Sequence, residues 1–285
     1  MLPWRPSATI MTAEFKPGFF PFAIRSSDTD FADQLHLASL FALMQEAAYQ
    51  HAEQLGIGAS TLDVADLTWL LSKVSVRLDR LPHWGEQVWI RTWSRGVKKL
   101  LFLRDYQLLA GSPDSEPIGR ATSEWLVARK TDHRPQRPDV VLGPAGLEVS
   151  SLEIPEAFDF ACSKIDPAKE RDLTRDQEPL LIKFADFSEI DRNHHVNNTH
   201  YVAWCMDAAY AYFRNGPGQL LGPGTKPLDL AAIDIQYLSE IRPGERTHLD
   251  VHPSLDPKGS VILVEGLRTD QTSAAFRARL TFSQT

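Results

Sequence analysis

The sequence predicts an α+β fold made of two copies of one unit, in which an antiparallel sheet wraps around a long helix. Apolar residues recur three and four positions apart over residues 37–55, which is typical of a helix with one buried face. Short alternating or apolar segments separated by turns follow this helix and indicate an antiparallel sheet. The same order of helix and strands returns in the second half of the chain.

The elements of the first half are predicted in chain order. Residues 1 to about 15 are expected to form a tail, and residues 15–27 a strand that contains a Pro-Gly turn. The helix over residues 37–55 is expected to stop near Gly56 and Gly58. Four strands are expected after it, at residues 74–78, 88–93, 100–108 and 118–128.

The second half repeats this order after a polar connection. Many Pro, Asp, Lys and Arg residues after position 131 indicate a linker or surface loop. We expect a first domain at residues 14–150, a linker at 151–177 and a second domain at 178–285. The helix of the second domain is expected from Val196 to about residue 213, and its strands at residues 180–184, 232–238, 247–252, 261–267 and 274–282.

The two halves align without a gap through the helix. At an offset of 161 residues Asp30 falls on Asp191, and residues 47–49 fall on the identical residues 208–210. After the helix the offset becomes 159, which places residues 85–86 on residues 244–245, a Gly-Glu pair in both halves. This ordered set of matches indicates duplication of one helix-plus-sheet unit. Two such units are expected to pack as a pseudo-twofold pair.

Composition excludes several classes of protein. The chain has 285 residues, of which 43% are hydrophobic and 24% charged, as in globular proteins. No apolar run approaches the roughly 20 residues that a membrane span needs. The net charge of −7 argues against general nucleic-acid binding. Two cysteines without metal-site spacing indicate a reducing compartment, so a cytoplasmic location is expected.

The polar residues that begin the helix of the second half are the strongest functional signal. Asp191, Asn193 and His195 alternate, which in an extended segment places their side chains on one face. A capping role would explain one or two of them but not the whole set. Asn197 and Asn198 are expected to be capping or loop-bracing residues. The N–H groups of a helix start can also hold an oxyanion.

The repeat shows that this polar set belongs to the second half alone. The first half has Ala32, Gln34 and Leu81 where the second has Asn193, His195 and Glu240. We therefore expect the second domain to carry out chemistry and the first to hold an apolar group.

These residue types favour hydrolysis by an activated water. A histidine beside a carboxylate can activate or orient water near neutral pH. The asparagine can fix a carbonyl, and the backbone N–H groups of His195 and Val196 are expected to polarise it. The sequence has no Gly-x-Ser-x-Gly nucleophile motif.

Residues 191–201, which read Asp-x-Asn-x-His-Val-Asn-Asn-x-x-Tyr, resemble the signature of plant and bacterial acyl-[acyl carrier protein] thioesterases. The resemblance extends over roughly residues 14–285 and includes the segments 45–52, 70–73, 82–86, 91–93 and 237–240. It implies two tandem hot-dog domains packed as a pseudo-dimer, with an N-terminal domain that takes up the acyl chain. It also implies that the C-terminal domain supplies the catalytic residues Asp191, Asn193, His195 and Glu240.

One position departs from the family pattern. Plant members often carry a cysteine directly after the glutamate, and this chain has Ile241 there. A thiolate mechanism at this position is therefore excluded, which favours water as the nucleophile.

The remaining residues yield weaker expectations. The acyl chain is expected to contact part of the first helix and two tryptophans, namely Leu40, Phe41, Met44, Trp69 and Trp89. The three histidines His194, His195 and His200 lack an acidic partner at metal-ligand spacing, so neither a metal nor another cofactor is expected. Most of the basic residues in the first half and its connection are expected to form a solvated face, and some of them to dock an acidic carrier protein; they are Arg95, Lys98, Lys99, Arg104, Arg129, Lys130, Arg134 and Arg137.

The expected activity is hydrolysis of acyl-carrier-protein thioesters, which releases free fatty acid in fatty acid biosynthesis. The expected partner is acyl carrier protein, and a homodimer is considered. Two alternatives remain open: hydrolysis of acyl-CoA at the same site, and a non-catalytic acyl-binding protein. The intact set of polar residues argues against the non-catalytic alternative.

Overall fold

The computed structural model describes residues 16–142, 157–170, 180–215, 229–254, 261–269 and 273–283. The expected tail lies outside these residues, and so do the two ends of the expected linker, 151–156 and 171–177.

The chain separates into two compact units. Of the described residues, the first unit contains 16–23, 43–74, 86–142 and 157–162, and the second contains the rest. Residues 24–42 and 75–85 of the first half therefore belong to the second unit, together with the whole second half of the chain.

The first half consists of a long helix and a five-stranded sheet. Helix α1 (Leu37–Gln54) is followed by the short α2 (Ala59–Val64), and α3 (Asp139–Leu142) closes this half. The strands lie in the order β1-β3-β4-β5-β2, and β1/β3, β3/β4 and β4/β5 pair antiparallel. Their bounds are β1 Gly18–Ala23, β2 Leu67–Leu78, β3 Gln87–Lys98, β4 Leu101–Ala110 and β5 Pro117–Arg129.

The second half repeats this arrangement. After the one-turn helix α4 (Pro167–Glu170), the long helix is α5 (Asn198–Asn215). The strand order β6-β8-β9-β10-β7 corresponds strand for strand to that of the first half. All described pairs are antiparallel, and the bounds are β6 Leu181–Phe184, β7 Leu230–Tyr237, β8 Arg246–Pro253, β9 Val261–Arg268 and β10 Ala274–Phe282.

The duplication predicted from the sequence is visible in these bounds. Helices α1 and α5 have 18 residues each and begin and end at the offset of 161 residues. The predicted strands are present, although β2 is longer than expected. The short helix α2 was not predicted, because a six-residue helix has too few turns to establish an apolar period.

In the first unit the end of α1 packs against the sheet. Ala52 and Leu55 belong to a buried cluster with Phe102 of β4 and Val127 of β5, and Trp69 of β2 packs against it. The rings of Trp69 and Phe102 meet edge to face with their centroids 4.7 Å apart.

In the second unit α5 packs against its own sheet through aromatic residues. Tyr201 meets Phe276 of β10 edge to face, with centroids 5.1 Å apart, and Phe213 meets Phe282 of the same strand at 5.2 Å. Gly266 of β9 lies opposite Phe276, and a Cβ atom there would lie 2.0 Å from its ring. The missing side chain therefore leaves room for the Phe276 ring that supports Tyr201.

The region read as a linker has structure where it is described. Residues 166–170, predicted as a loop, contain α4, whose first residue is a proline as is favoured at a helix start. Arg279 of β10 forms an ion pair with Glu170 of α4, which fixes the helix to the second unit.

Candidate active site

The candidate site is built on a tight turn before α5. The Asp191 N–H donates to the His195 carbonyl at 2.9 Å, and the His194 N–H donates to the Asp191 carbonyl at 3.0 Å. Asp191 Oδ1 also accepts from the Asn193 N–H at 2.7 Å. His194 has a positive φ of 62°, which completes the turn. Asp191 therefore shapes the loop that carries Asn193 and His195.

This geometry corrects the expectation of an extended segment. Side chains of alternate residues share a face only in a strand, and residues 191–195 reverse direction instead. The alternation of Asp191, Asn193 and His195 was misleading. Asp and Asn also occur in turns, where their side chains accept hydrogen bonds from nearby backbone N–H groups. The turn brings Asp191 and His195 together through the chain reversal.

The helix also begins two residues later than predicted. Asn197 is the cap, and its Oδ1 accepts from the Thr199 N–H at 3.0 Å and the Thr199 hydroxyl at 2.9 Å. Val196 instead pairs with Ile190 as an isolated bridge, and its N–H donates to the Ile241 carbonyl at 2.9 Å. This N–H is bonded within the fold, so it is not a donor for an oxyanion.

Glu240 reaches this turn from the end of β7. Its neighbour Ile241 is buried, and its backbone makes one hydrogen bond to the turn and one to helix α5. The Ile241 carbonyl accepts from the Val196 N–H, and the Ile241 N–H donates to the Tyr201 hydroxyl oxygen at 3.1 Å. Arg268 Nη1 lies 3.4 Å from the Glu240 carbonyl oxygen, and the same guanidinium pairs with Glu245 at 3.1 Å.

The carboxylates of Asp191 and Glu240 both lie near the His195 ring. His195 Nδ1 lies 3.8 Å from Asp191 Oδ1, and His195 Nε2 lies 3.9 Å from Glu240 Oε1. Nδ1 is also 3.2 Å from the Val196 carbonyl, which accepts when this nitrogen carries the proton. In that tautomer Nε2 presents its lone pair on the side of Glu240. The Nε2–carboxylate distance exceeds a hydrogen bond and allows one water to contact both groups.

The site is partly buried and still accessible. The side chains of His195, Asp191 and Glu240 are 14%, 18% and 27% exposed. The exposed part of the His195 side chain does not include Nε2, which is buried.

Tyr201 was not among the predicted site residues. Burial raises the pKa of its hydroxyl well above the usual range, and the nearby carboxylates of Glu240 and Asp191 raise it further, so the group stays neutral. Two features of the sequence could have indicated it. Tyr201 is the last residue of the motif at residues 191–201, and the first half has Leu40 at the corresponding position.

Neither cysteine is a candidate nucleophile at this site. Cys205 is fully buried on α5, and burial raises the pKa of its thiol well above the usual range. Cys162 belongs to the first unit, where its Sγ lies 3.4 Å from the Thr122 carbonyl.

The first half contains the same turn without the reactive side chains. Asp30 Oδ1 accepts from the Ala32 N–H at 2.8 Å, the Asp30 N–H donates to the Gln34 carbonyl at 2.8 Å, and Asp33 has φ 60°. The Leu35 N–H donates to the Pro82 carbonyl at 2.8 Å, as Val196 does to Ile241. The two halves therefore differ in side chains rather than in backbone path.

The residues predicted to bind an acyl chain occupy different surfaces. Leu40, Phe41 and Met44 are buried on α1, and Trp69 belongs to the apolar cluster of the first unit. Trp89 lies on the opposite face of β3 from Thr92, and Thr92 is bonded to a residue that contacts α1. Trp89 therefore faces away from the helix.

Arg104 was wrongly assigned to a solvated face. It is only 8% exposed, and its Nη1 lies 2.8 Å from His51 Nδ1 and 3.2 Å from Thr92 Oγ1. His51 Nε2 lies 3.0 Å from the Lys16 carbonyl. Burial and the Arg104 charge lower the pKa of His51 to about 4, so the ring is neutral at physiological pH. Several of the other basic residues that were assigned to the solvated face form surface ion pairs. Lys130, for example, pairs with Asp63 at 2.6 Å.

Two kinds of feature are absent from the described part of the chain. No cluster of three or more His, Cys, Asp and Glu side chains there is arranged to hold a metal ion. His200 lies 4.0 Å from Glu189, whose Oε1 accepts from the Trp204 indole at 2.8 Å. None of the helices described is both long and apolar enough to cross a bilayer.

Comparison with known proteins covers both halves. Residues 20–141 match the family model of the acyl-ACP thioesterase N-terminal domain, and residues 186–284 match that of the thioesterase-like superfamily. Both halves of the chain are therefore similar to thioesterases, and the first half is similar to acyl-ACP thioesterases in particular. The predicted resemblance is thereby confirmed.

Relatives in this family align over most of the chain. An acyl-[acyl-carrier-protein] hydrolase of Cuphea viscosissima, a chloroplastic protein, is 24% identical over 246 residues, which cover 84% of this chain and 55% of that protein. The chain thus spans about half the length of the curated relatives it matches.

Solved structures of acyl-ACP thioesterases confirm the predicted fold of two tandem hot-dog domains. One from Bacteroides thetaiotaomicron has a TM-score of 0.74 at 20% identity, over 94% of this chain and 98% of that one. The 12:0-ACP thioesterase of Umbellularia californica has a TM-score of 0.66 at 21% identity, with the same coverage.

Proposed function

We propose that this protein hydrolyses the thioester of an acyl chain carried on acyl carrier protein and releases a free fatty acid. The observation that carries the proposal is the position of His195, whose ring nitrogens lie within 4 Å of the carboxylates of Asp191 and Glu240. The similarity to acyl-ACP thioesterases supports the same reaction. The second hot-dog domain is the catalytic one in this proposal, and the first binds the acyl chain.

In the proposed mechanism a water molecule lies between His195 Nε2 and Glu240. One of these groups removes a proton as the water oxygen attacks the thioester carbonyl, and the other shares the resulting charge. The Asn193 amide and the His195 N–H hold the carbonyl oxygen while it carries negative charge. The carbon–sulfur bond then breaks, the thiolate takes up the proton, and the acid is released.

The acyl chain is proposed to lie against the apolar residues of the first domain. Leu40, Phe41, Met44 and Trp69 remain in this proposal because they are apolar and lie on or near α1. Trp89 is left out because it faces away from that helix.

The carrier is proposed to be acyl carrier protein, recognised through exposed basic residues such as Lys98 and Lys99. Association of an acidic carrier with such residues should weaken with added salt. The cytoplasm is the proposed compartment, since the two cysteines are free. A homodimer is not needed for this site, whose residues all lie in one chain.

The first test is a turnover assay with acyl-carrier-protein and acyl-CoA substrates from short to long chains. We expect kcat/KM to be highest for one length class of acyl-carrier-protein substrates and to fall with ionic strength. Turnover of CoA esters alone would replace the proposed substrate, and binding without turnover would favour a non-catalytic role.

The second test removes the reactive groups. Glu240→Ala and His195→Ala should each lower kcat at least about a hundredfold, the scale of a lost acid or base. His200→Ala is the matched control, because this half-exposed histidine on α5 is not part of the proposed mechanism. Near-normal turnover by either site variant contradicts the assignment.

A further inference from the structure

Tyr201 occupies a position that only the second half equips with a hydrogen-bonding group. Its hydroxyl oxygen accepts from the Ile241 N–H, and Ile241 follows Glu240 directly. The residue itself is 3% exposed and held between two aromatic rings, Phe276 at 5.1 Å and Tyr237 at 5.4 Å. The acceptor is therefore fixed in place, and so is the backbone that it binds.

The first half lacks both partners of this hydrogen bond. Its counterpart of Tyr201 is Leu40, which offers no acceptor, and its counterpart of Ile241 is Pro82, which has no N–H to donate. Donor and acceptor are thus both present where the loop carries Glu240 and both missing where it carries Leu81. An N–H at this buried position would be costly to leave without an acceptor.

The Ile241 backbone links the two parts of the candidate site. Its carbonyl binds the N–H of Val196, the residue after His195, and its N–H binds Tyr201. A shift of Ile241 would change the 3.9 Å distance between His195 Nε2 and Glu240 Oε1. Small displacements of a catalytic group lower rates strongly.

We propose that Tyr201 is a positioning residue that holds the Ile241 backbone and thereby sets the distance of Glu240 from His195. This inference rests on the proposed thioester hydrolysis, which it extends by one residue that acts through the backbone beside Glu240. Tyr201 acts through Glu240 and contributes no proton of its own, because its hydroxyl is buried and stays neutral.

The test compares Tyr201→Phe with Tyr237→Phe in the full-length protein. Tyr237 is the matched control because its hydroxyl also makes a 3.1 Å hydrogen bond to backbone, but to the Asn198 carbonyl. Tyr201→Phe should lower kcat about tenfold and leave KM within about twofold, since positioning acts on the chemical step. Tyr237→Phe should lose comparable stability and keep its kcat. Equal kcat values for Tyr201→Phe and wild type contradict the proposal.

A second comparison separates positioning from a general structural defect. In a Glu240→Gln background, Tyr201→Phe should not lower the residual turnover further, because the group that it positions is already gone. A further tenfold loss there would show that the tyrosine acts on folding or on other residues, and would overturn the inference.

A third measurement does not depend on activity. Hydrogen exchange of the Ile241 amide should become at least about tenfold faster in Tyr201→Phe and stay unchanged in Tyr237→Phe, because the acceptor is lost only in the first variant. Unchanged exchange in Tyr201→Phe contradicts the proposed anchor. A wild type that shows no turnover contradicts the proposed hydrolysis instead, so the two failures are distinguishable.

Discussion

Asp191 and Asp30 perform the same structural task in the two halves of the chain. Each accepts a hydrogen bond from the N–H two residues later, at 2.7 Å and 2.8 Å. The aspartate is thus kept in the half that has lost Asn193, His195 and Glu240. Its main role at the site is therefore to shape the turn, and its 3.8 Å distance from His195 is a consequence of that shape.

Alanine substitutions at the two aspartates should separate folding from activity. Asp30→Ala and Asp191→Ala should each lower the free energy of unfolding by about 1 kcal/mol, the usual value for a lost capping-type hydrogen bond. Only Asp191→Ala should also lower kcat, by about tenfold or more, because its turn carries His195. Denaturant titration and turnover measure the two effects. Loss of kcat in Asp30→Ala at full stability would contradict this division.

The expected capping role of Asn197 depends on local spacing, and its bonds to Thr199 agree with it. His195 and Glu240 approach within 3.9 Å although they are far apart in sequence, and their catalytic role stays a prediction. Arg104 was assigned wrongly because a charged residue on a strand gives no sign of being buried. Its environment depends on His51 and Thr92, which come from other elements.

At the level of elements, Gly266 of β9 leaves the space in which the Phe276 ring of β10 packs against Tyr201 of α5. The Phe276 ring crosses the position where a side chain at residue 266 would lie, and it supports Tyr201 from the sheet side. The Tyr201 hydroxyl in turn binds the loop that carries Glu240. A small residue in one strand is therefore connected to the candidate site through two packed rings.

Gly266→Ala should destabilise the second unit by about 1–3 kcal/mol, because the added methyl group overlaps a ring in a packed core. It should also lower kcat, since Phe276 must move and Tyr201 rests on it. Gly111→Ala, at an open turn with φ 82° and no atom within 4 Å of the added Cβ, is a control for backbone strain alone. A Gly266→Ala protein with unchanged melting temperature and kcat would contradict the packing argument.

The two long helices and the strands were predictable because each has one apolar face or a plain apolar run. The turn at residues 191–195 was not, since its path depends on a side-chain bond from Asp191 and on the left-handed conformation of His194. Neither feature leaves a period in the sequence. The internal repeat does distinguish the two kinds of residue, because both halves keep the aspartate that folds the turn and differ at the positions of Asn193 and His195.

At the level of the whole molecule, the buried pair of His51 and Arg104 makes stability depend on pH. The pKa of His51 is about 4 in the folded protein, and its ordinary value of 6.5 applies to the unfolded chain. The unfolded chain therefore takes up a proton at His51 more readily than the folded protein does. This contribution to stability is complete above pH 6.5 and is lost as the pH falls towards 4. It amounts to about 3 kcal/mol as an upper estimate from the pKa difference.

His51→Gln should flatten this dependence, because glutamine can still bond Arg104 and the Lys16 carbonyl but does not titrate. Unfolding titrations at pH 7.5 and pH 5, compared with wild type, measure the effect. The control is His36→Gln, since this histidine is exposed. If wild type and His51→Gln lose stability equally over this range, the His51 assignment is wrong.

The turn that the two halves share shows how easily one copy could give up its chemistry. Apart from the bond between Ile241 and Tyr201, the backbone that carries Ala32, Gln34 and Leu81 has the same hydrogen bonds as the one that carries Asn193, His195 and Glu240. Exchanging such side chains leaves the scaffold of the turn intact, because the bonds that form it come from the backbone and from the aspartate. By the same reasoning, Ala32→Asn, Gln34→His and Leu81→Glu together should place the three polar groups on a turn that keeps its own hydrogen bonds.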